Sequence, residues 1–392
     1  MMSVRHLGSV SMNRYKSGKH KLLHIARGSS TWGRKRRLVR FFFLAVAAVV
    51  FLLLYRTPKP EEFQFTIGTV IRGDEWTGDM TYKNAATINA LKGFIRSTGS
   101  PSRVVILVDF QSYCETVPDF LRGCRCYGLY ECMDPVYEVP TMECIFDILF
   151  DVSTTDTVAF INGDILVFDS FAKAIASTAS AVDEFLMTGR RHRGEGFRAD
   201  FNDPISWRYA EIHSKTLSLD HGYAIDYFVT KKSVYNLAVR GALPPFVIGA
   251  WRWDNILMYY FYKFTDVTVF DATFVAPVMH QFQNSSLMID HHQRRGARFN
   301  DELAKQIGGN ELLFGTIDFA DVILEDLSEG QDVIRDPWHV LAREALKSGL
   351  LTPPEISRLK EFNDHKLATY NHRLLSTEDH LLILRDFRNT DH

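Results

Sequence analysis

The fold turns on residues 159–171, AFINGDILVFDSF. The first three close the apolar run Thr157–Ile161, TVAFI. A continuous apolar run reads as a strand covered on both faces, as in a parallel sheet. Asn162-Gly163-Asp164 then breaks the run. Asn-Gly between two apolar runs is the strongest short hairpin signal. Against a hairpin, ILVF runs directly into Asp169-Ser170 and an Ala-rich helical pattern over 168–182, with no long return strand. The second reading, strand–turn–helix, leaves Asp164 at the carboxyl end of a strand. A carboxylate there can hold a hard divalent cation, which in turn grips a diphosphate.

Working outward, the same alternation continues. Phe63–Ile71 alternates with period two and carries β-branched residues, so it is predicted as a strand. Tyr82–Ile95 has apolar residues at helical spacing, and Arg103–Phe110 is another buried strand. A cysteine-containing loop over 111–140 precedes a helix at Thr141–Phe150. Glu184–Thr188 reads as a strand entering a polar, Arg-rich loop that runs to about 215. The expected fold class is α/β, Rossmann-like, with a mostly parallel central sheet and helices on both faces. Ligands of such sheets bind beyond the carboxyl ends of the strands. Residues 301–392 are richer in charge and amphipathic helical stretches and are expected to form a C-terminal helical extension to a 63–300 domain.

Charge is unevenly spread. The formal net charge is −2, but residues 1–40 hold 11 Lys/Arg and no acid, leaving 34 basic and 47 acidic residues in the rest. That balance excludes a nucleic-acid-binding body. The basic tail, 1–37, abuts residues 38–55, whose centre Phe41–Leu54 is apolar without a break. Roughly 17–25 such residues span a bilayer. With no small-residue cleavage site after it, the segment is expected to be one uncleaved transmembrane signal anchor; a cleaved signal peptide, a buried helix and a transit peptide are the rivals. The short stretch suits the thinner membrane of the endoplasmic reticulum or Golgi, as a single-pass type II protein with a lumenal C-terminal part. Residues 56–62 (RTPKPEE) then form a short stem. The five cysteines, Cys114, Cys124, Cys126, Cys132 and Cys144, allow at most two disulfides in such a compartment and leave one thiol. Asn284-Ser285-Ser286 is a glycosylation sequon if this part is lumenal.

Several segments, taken in order, resemble one family. AFINGDILVFDSF looks like the metal-binding DXD-type turn of GT-A-fold glycosyltransferases, in the Asn-x-Asp-Ile version carried by a group of nucleotide-diphospho-sugar transferase-like proteins. Phe185–Arg191 (FLMTGRR), Ile225–Val229 (IDYFV), Pro244–Asn255 (PPFVIGAWRWDN), Asp271-Ala272-Thr273 and His280-Gln281 resemble further segments of the same group. The resemblance covers about residues 63–315. The sequence departs from the pattern at Asn162, where a full DXD has its first carboxylate, at Gly163, and after Gln281, where the aromatic-acidic continuation is missing.

The resemblance implies transfer of a sugar from a nucleotide-diphosphate donor with Mn²⁺ or Mg²⁺. Asp164 is then the metal ligand, with His280 as a further ligand or diphosphate contact. Asn162 would face the ribose or the metal's water shell, and Arg190 or Arg191 the phosphates. Asp254 is the first candidate base toward an acceptor hydroxyl and Asp226 the second. Each has a plainer reading: an interior histidine, a solvated basic loop, and a helix-opening acid favourable to the macrodipole. Trp251, Trp253, Tyr227 and Phe246 are candidates for stacking on sugars, or else core. His291-His292 are expected in a surface loop and Asp271 as a structural strand end. The expected partners are a nucleotide sugar, a glycan, protein or lipid acceptor and the membrane. Two alternatives remain: a membrane-anchored sugar-binding or scaffold protein without turnover, and a sugar nucleotidyltransferase. The latter is disfavoured because the loop Arg72–Trp76 is acidic and has one glycine.

Overall fold

The computed structural model describes residues 63–71, 82–137, 139–194, 204–249, 252–281, 291–306, 315–324 and 334–335. The chain divides into two units, Met1–Glu62 and Phe63–His392. The predicted tail, anchor and stem, the sequon, the Arg72–Trp76 loop, Trp251 and most of the expected C-terminal extension lie outside the described residues. Among the described residues no helix is long and apolar enough to cross a membrane.

The larger unit is built on a nine-stranded sheet. In chain order its strands are β1 (Phe65–Ile71), β2 (Val104–Val108), β3 (Arg125–Gly128), β4 (Thr157–Ile161), β6 (Phe185–Thr188), β8 (Tyr227–Lys231), β9 (Thr268–Asp271), β11 (Val322–Ile323) and β12 (Ile334–Arg335). They lie in the order β12-β11-β9-β6-β8-β4-β1-β2-β3. β4, β1, β2 and β3 are mutually parallel, as are β6, β9 and β11. β8 is antiparallel to both β4 and β6 and stands between the two parallel groups. β12 is antiparallel at the edge. The apolar runs at 104–108 and 157–161 are buried at every position, as the unbroken pattern demands.

Helices cover both faces. On one face lie α1 (Tyr82–Thr98) and α3 (Asp169–Ala181), whose Leu91, Phe94, Phe171 and Ile175 meet Ile67, Ile106 and Ile161 of the sheet. On the other lie α2 (Met142–Val152), α5 (Lys232–Ala238) and α6 (Trp253–Phe264). In α2 the apolar side chains recur at Ile145, Phe146, Leu149 and Phe150, one face of a 3.6-residue period. Each such side chain contributes about 1.5–3 kcal/mol by leaving water. Gly68 of β1 lets α2 approach closely, because a Cβ there would lie 2.1 Å from Leu149 Cδ1.

Three expectations are corrected. The loop to residue 215 contains β7 (Arg191–Arg193) and helix α4 (Pro204–Ser214). Its buried Trp207 and Ala210 pack in a small satellite core with Leu166, Phe168 and Met279, while Ile205, Tyr209 and Ile212 are exposed, so its apolar residues do not mark one face in the sequence. His291-His292 open helix α7 (His291–Gln306) rather than a loop. The sheet does not stop at residue 300, since β11 and β12 join it.

The cysteine loop is closed by Cys114–Cys126 and Cys132–Cys144, leaving Cys124. Burial pushes the Cys124 thiol up to about 11, which makes it a poor nucleophile.

Candidate active site

The chain leaves β4 at Ile161 and turns at once. The Ile165 amide donates to the Asn162 carbonyl at 3.1 Å, closing a tight turn over Asn162-Gly163-Asp164. Residues after it do not return along β4. Instead β5 (Ile165–Leu166) enters a separate three-stranded sheet, β5-β10-β7, with β10 spanning Val278–His280. The hairpin reading therefore fails. A Cβ on Gly163 would lie 2.5 Å from Ile71 Cγ2 and 3.0 Å from the Val70 carbonyl, so glycine is required by close packing against the end of β1.

The small sheet gathers residues far apart in sequence. His280 pairs across β10 with Ile165 on one side and Arg193 on the other. The pairing sets His280 Nε2 3.0 Å from Asp164 Oδ2, with both side chains half-buried. Burial alone would raise the Asp164 carboxyl, but the charge and hydrogen bond of His280, with Arg191 behind, hold it below its ordinary value. Burial likewise lowers the His280 imidazole, and the Asp164 charge more than reverses this, so its proton affinity is raised. Gln281 locks the turn from behind: its side-chain amide donates to the Ala86 carbonyl at 2.9 Å and to the Asp164 carbonyl at 3.3 Å.

A chain of ionic contacts runs alongside. Asn162 Nδ2 donates to Asp226 Oδ1 at 2.7 Å. Arg191 bonds Asp226 Oδ2 at 2.8 Å and Asp220 Oδ2 at 3.0 Å. Arg193 bonds Asp220 Oδ1 at 2.5 Å. Asp226 stands just before β8, and because β8 is reversed its start lies at the same edge as the carboxyl ends of β4 and β6. Burial opposes ionisation of Asp220, yet its two arginine partners hold its carboxyl far below the ordinary value. Asp220 was not legible in the sequence; it lies in a polar stretch with no periodicity, and only the fold shows its two partners.

Asp254 opens α6. Burial, and then the charge of Asp226, push its carboxyl up to about 7, although the Asn255 and Ile225 amides favour its ionised form. Arg252, which precedes the helix, has φ of 81° and pairs with Asp301. A left-handed non-glycine residue is strained backbone beside the candidate base.

Arg190 lies apart from this chain. Its amide donates to Thr273 Oγ1 at 2.9 Å, and its Nε is buried with no hydrogen-bond partner among the described residues. Asp271 ends β9 and accepts from the Thr273 amide at 2.8 Å, the structural role expected of it. Of the stacking candidates, Tyr227, Phe246 and Trp253 are core. Trp253 packs its ring on Phe160 and Phe228.

The structure thus brings Asp164, His280, Asn162, Asp226 and Arg191 into two adjoining clusters, with Asp254 within electrostatic reach of Asp226. Among the described residues no group of three or more His, Cys, Asp or Glu side chains converges to hold a metal. The donors present are one carboxylate and one imidazole. Such a pair fits a divalent ion whose other positions are filled by diphosphate oxygens and water.

No family model matches the chain, and no curated protein matches it. Among solved structures, S. aureus TarS is similar at 10% identity and a TM-score of 0.25, over 36% of this chain and 23% of that one. TarS 1–349 is similar at 8% identity and 0.27, over 44% and 48%. The bifunctional IspDF of Campylobacter jejuni is similar at 7% and 0.26, over 46% and 44%. The chain spans less than half the length of each. At these TM-scores the likeness says nothing about the chemistry of this chain.

Proposed function

We propose that the protein is a glycosyltransferase that moves a sugar from a nucleotide-diphosphate donor to an acceptor hydroxyl, with a divalent metal. The observation that carries the reading is the Asp164–His280 pair, 3.0 Å apart at the carboxyl edge of the sheet and joined by a strand pairing across 116 residues. That edge is where α/β sheets bind nucleotides. Asp164 and His280 would hold the metal. Bound there, a divalent ion neutralises charge building on the departing diphosphate.

The remaining groups divide the work by what they are already bonded to. Both oxygens of Asp226 are taken, by Asn162 and Arg191, so Asp226 acts as a fixed charge and not as the base. Burial, with that fixed charge, raises the Asp254 carboxyl to about 7, the range suited to a general base. Asp254 takes the proton from the acceptor hydroxyl as its oxygen bonds to the anomeric carbon and the bond to the diphosphate breaks. Arg191 spends its guanidinium on two carboxylates and serves as a tie. Arg190, with a buried Nε left over, is the arginine for a phosphate. Asn162 keeps its carbonyl oxygen for a ribose hydroxyl. The two disulfides support a lumenal setting, in the Golgi or endoplasmic reticulum, for this part of a type II membrane protein.

The test is binding of a panel of nucleotide sugars to the full chain in detergent, with and without Mn²⁺, beside Asp164→Ala. Metal-dependent binding of a donor, lost in the variant, is expected. No binding of any donor by the wild type overturns the reading. Donor binding without transfer to any acceptor would favour the sugar-binding alternative.

A further inference from the structure

Tyr227, Phe246 and Trp253, which read as sugar-stacking aromatics, are interior, yet exposed aromatic rings do stand near this edge of the sheet. They come from the turn between α4 and β8. Tyr223 is 37% exposed and the His221 side chain 67%. Their rings meet at 6.1 Å and 61°. The turn that presents them is held at three points. Asp220 is tied to Arg191 and Arg193, the Gly222 carbonyl accepts from the Ile317 amide at 3.0 Å, and the Tyr223 carbonyl accepts from Asn255 Nδ2 at 3.1 Å. A Cβ on Gly222 would lie 2.6 Å from Thr316 Oγ1 and 2.8 Å from Asp318 Oδ2, so the turn sits tightly on the 315–318 segment. Asn255 follows Asp254 directly, and the amide of Ile225 favours the Asp254 carboxylate, so the same turn borders the base.

We propose that His221 and Tyr223 form the acceptor platform and that the acceptor is a sugar. The inference rests on the transferase reading above. A pyranose has an apolar C–H face and a hydroxyl edge. Exposed rings offer the first a flat partner, at low entropic cost because the turn is already fixed. Asp318, half-buried beside Tyr223 and accepting from Thr316 Oγ1 at 3.0 Å, offers the second an oxygen acceptor. The turn places a hydroxyl of the bound sugar toward Asp254.

The experiment is saturation-transfer NMR of the full chain in detergent with the methyl glycosides of glucose, galactose, mannose and N-acetylglucosamine. Binding of the nucleotide-sugar panel is measured on the same samples. At least one glycoside is expected to bind through its C–H face. Tyr223→Ala is expected to weaken it about tenfold, the size of one lost ring contact, and Tyr223→Phe to restore it. Donor binding and the melting temperature are expected to be unchanged in both variants. Donor binding with no glycoside bound, or with glycoside affinity equal in wild type and Tyr223→Ala, overturns the platform alone. Absence of donor binding in every sample overturns the transferase reading and the acceptor assignment with it.

Discussion

Asp254→Asn isolates the cost of ionising one carboxylate. In the unfolded chain Asp254 titrates at the ordinary 3.8, whereas burial and Asp226 raise it to about 7 in the folded protein. Between these values the folded state holds a proton that the unfolded state has released. Stability therefore falls as pH rises through this window, by about 1.4 kcal/mol per pH unit. It is fully present below about pH 4 and fully lost above about pH 7. The whole window amounts to about 4 kcal/mol. Solvent reaching the partly open carboxyl reduces this to about 2 kcal/mol, and the α6 N-terminus opposes it by only about 0.3–1 kcal/mol. Asparagine keeps the shape and carries no charge. Urea unfolding of both proteins at pH 4.5 and pH 8 is the assay. The variant should exceed the wild type by only about 0.5 kcal/mol at pH 4.5 and by about 2 kcal/mol at pH 8. All other titrating groups cancel in the comparison. A difference that is the same at both pH values, or that favours the wild type at pH 8, refutes the assignment of the raised carboxyl to Asp254.

Four other outcomes are expected. Gly163→Ala forces the turn away from the end of β1 and should cost about 1–3 kcal/mol in a urea melt, together with loss of donor binding. Asp220→Asn leaves Arg191 half-compensated and should destabilise by about 3 kcal/mol, read by thermal denaturation; a loss under about 1 kcal/mol would mean the contacts are solvent-weakened. Arg252→Gly relieves the left-handed strain that Arg252→Ala retains, and both lose the Asp301 pair, so glycine should be the more stable variant by about 1 kcal/mol. Replacing Cys132 and Cys144 together by Ser should cost about 3 kcal/mol for a loop of this size, seen as a lower urea midpoint that reductant does not shift as far as it shifts the wild type.

How much of this was legible in the sequence depended on burial. Val104–Val108 and Thr157–Ile161 are covered on both faces, so their apolar runs were unbroken and the strands plain. β5, β7 and β10 have two or three residues each, too few for any period, and they are the strands that assemble the site. Asp164 and His280 stood out as polar residues at the ends of apolar runs, while the contact between them is a tertiary fact. Arg191 shows the limit from the other side. Its position after a strand suggested phosphate, and nothing in the sequence placed Asp220 and Asp226 against it. Tyr227 and Phe246 looked available because aromatic rings in a strand or a proline loop carry no mark of which way they face; both are fully buried.

The reversed strand β8 has a consequence for how the protein is made. Among the described residues it is the one strand that links β3-β2-β1-β4 to β6-β9-β11-β12. Until residues 227–231 have emerged, β4 has an unpaired edge and β6 cannot be joined to the first group. A chain stalled before this point also lacks β9, so β6 is unpaired on both sides and β4 on one, and such edges are prone to pairing with another chain. Closing the gap also delivers Asp226, at the strand's first step, to Asn162 and Arg191. Docking of β8 thus sets the Asp226 tie before Asp254 and His280, which lie further along the chain, can join the site.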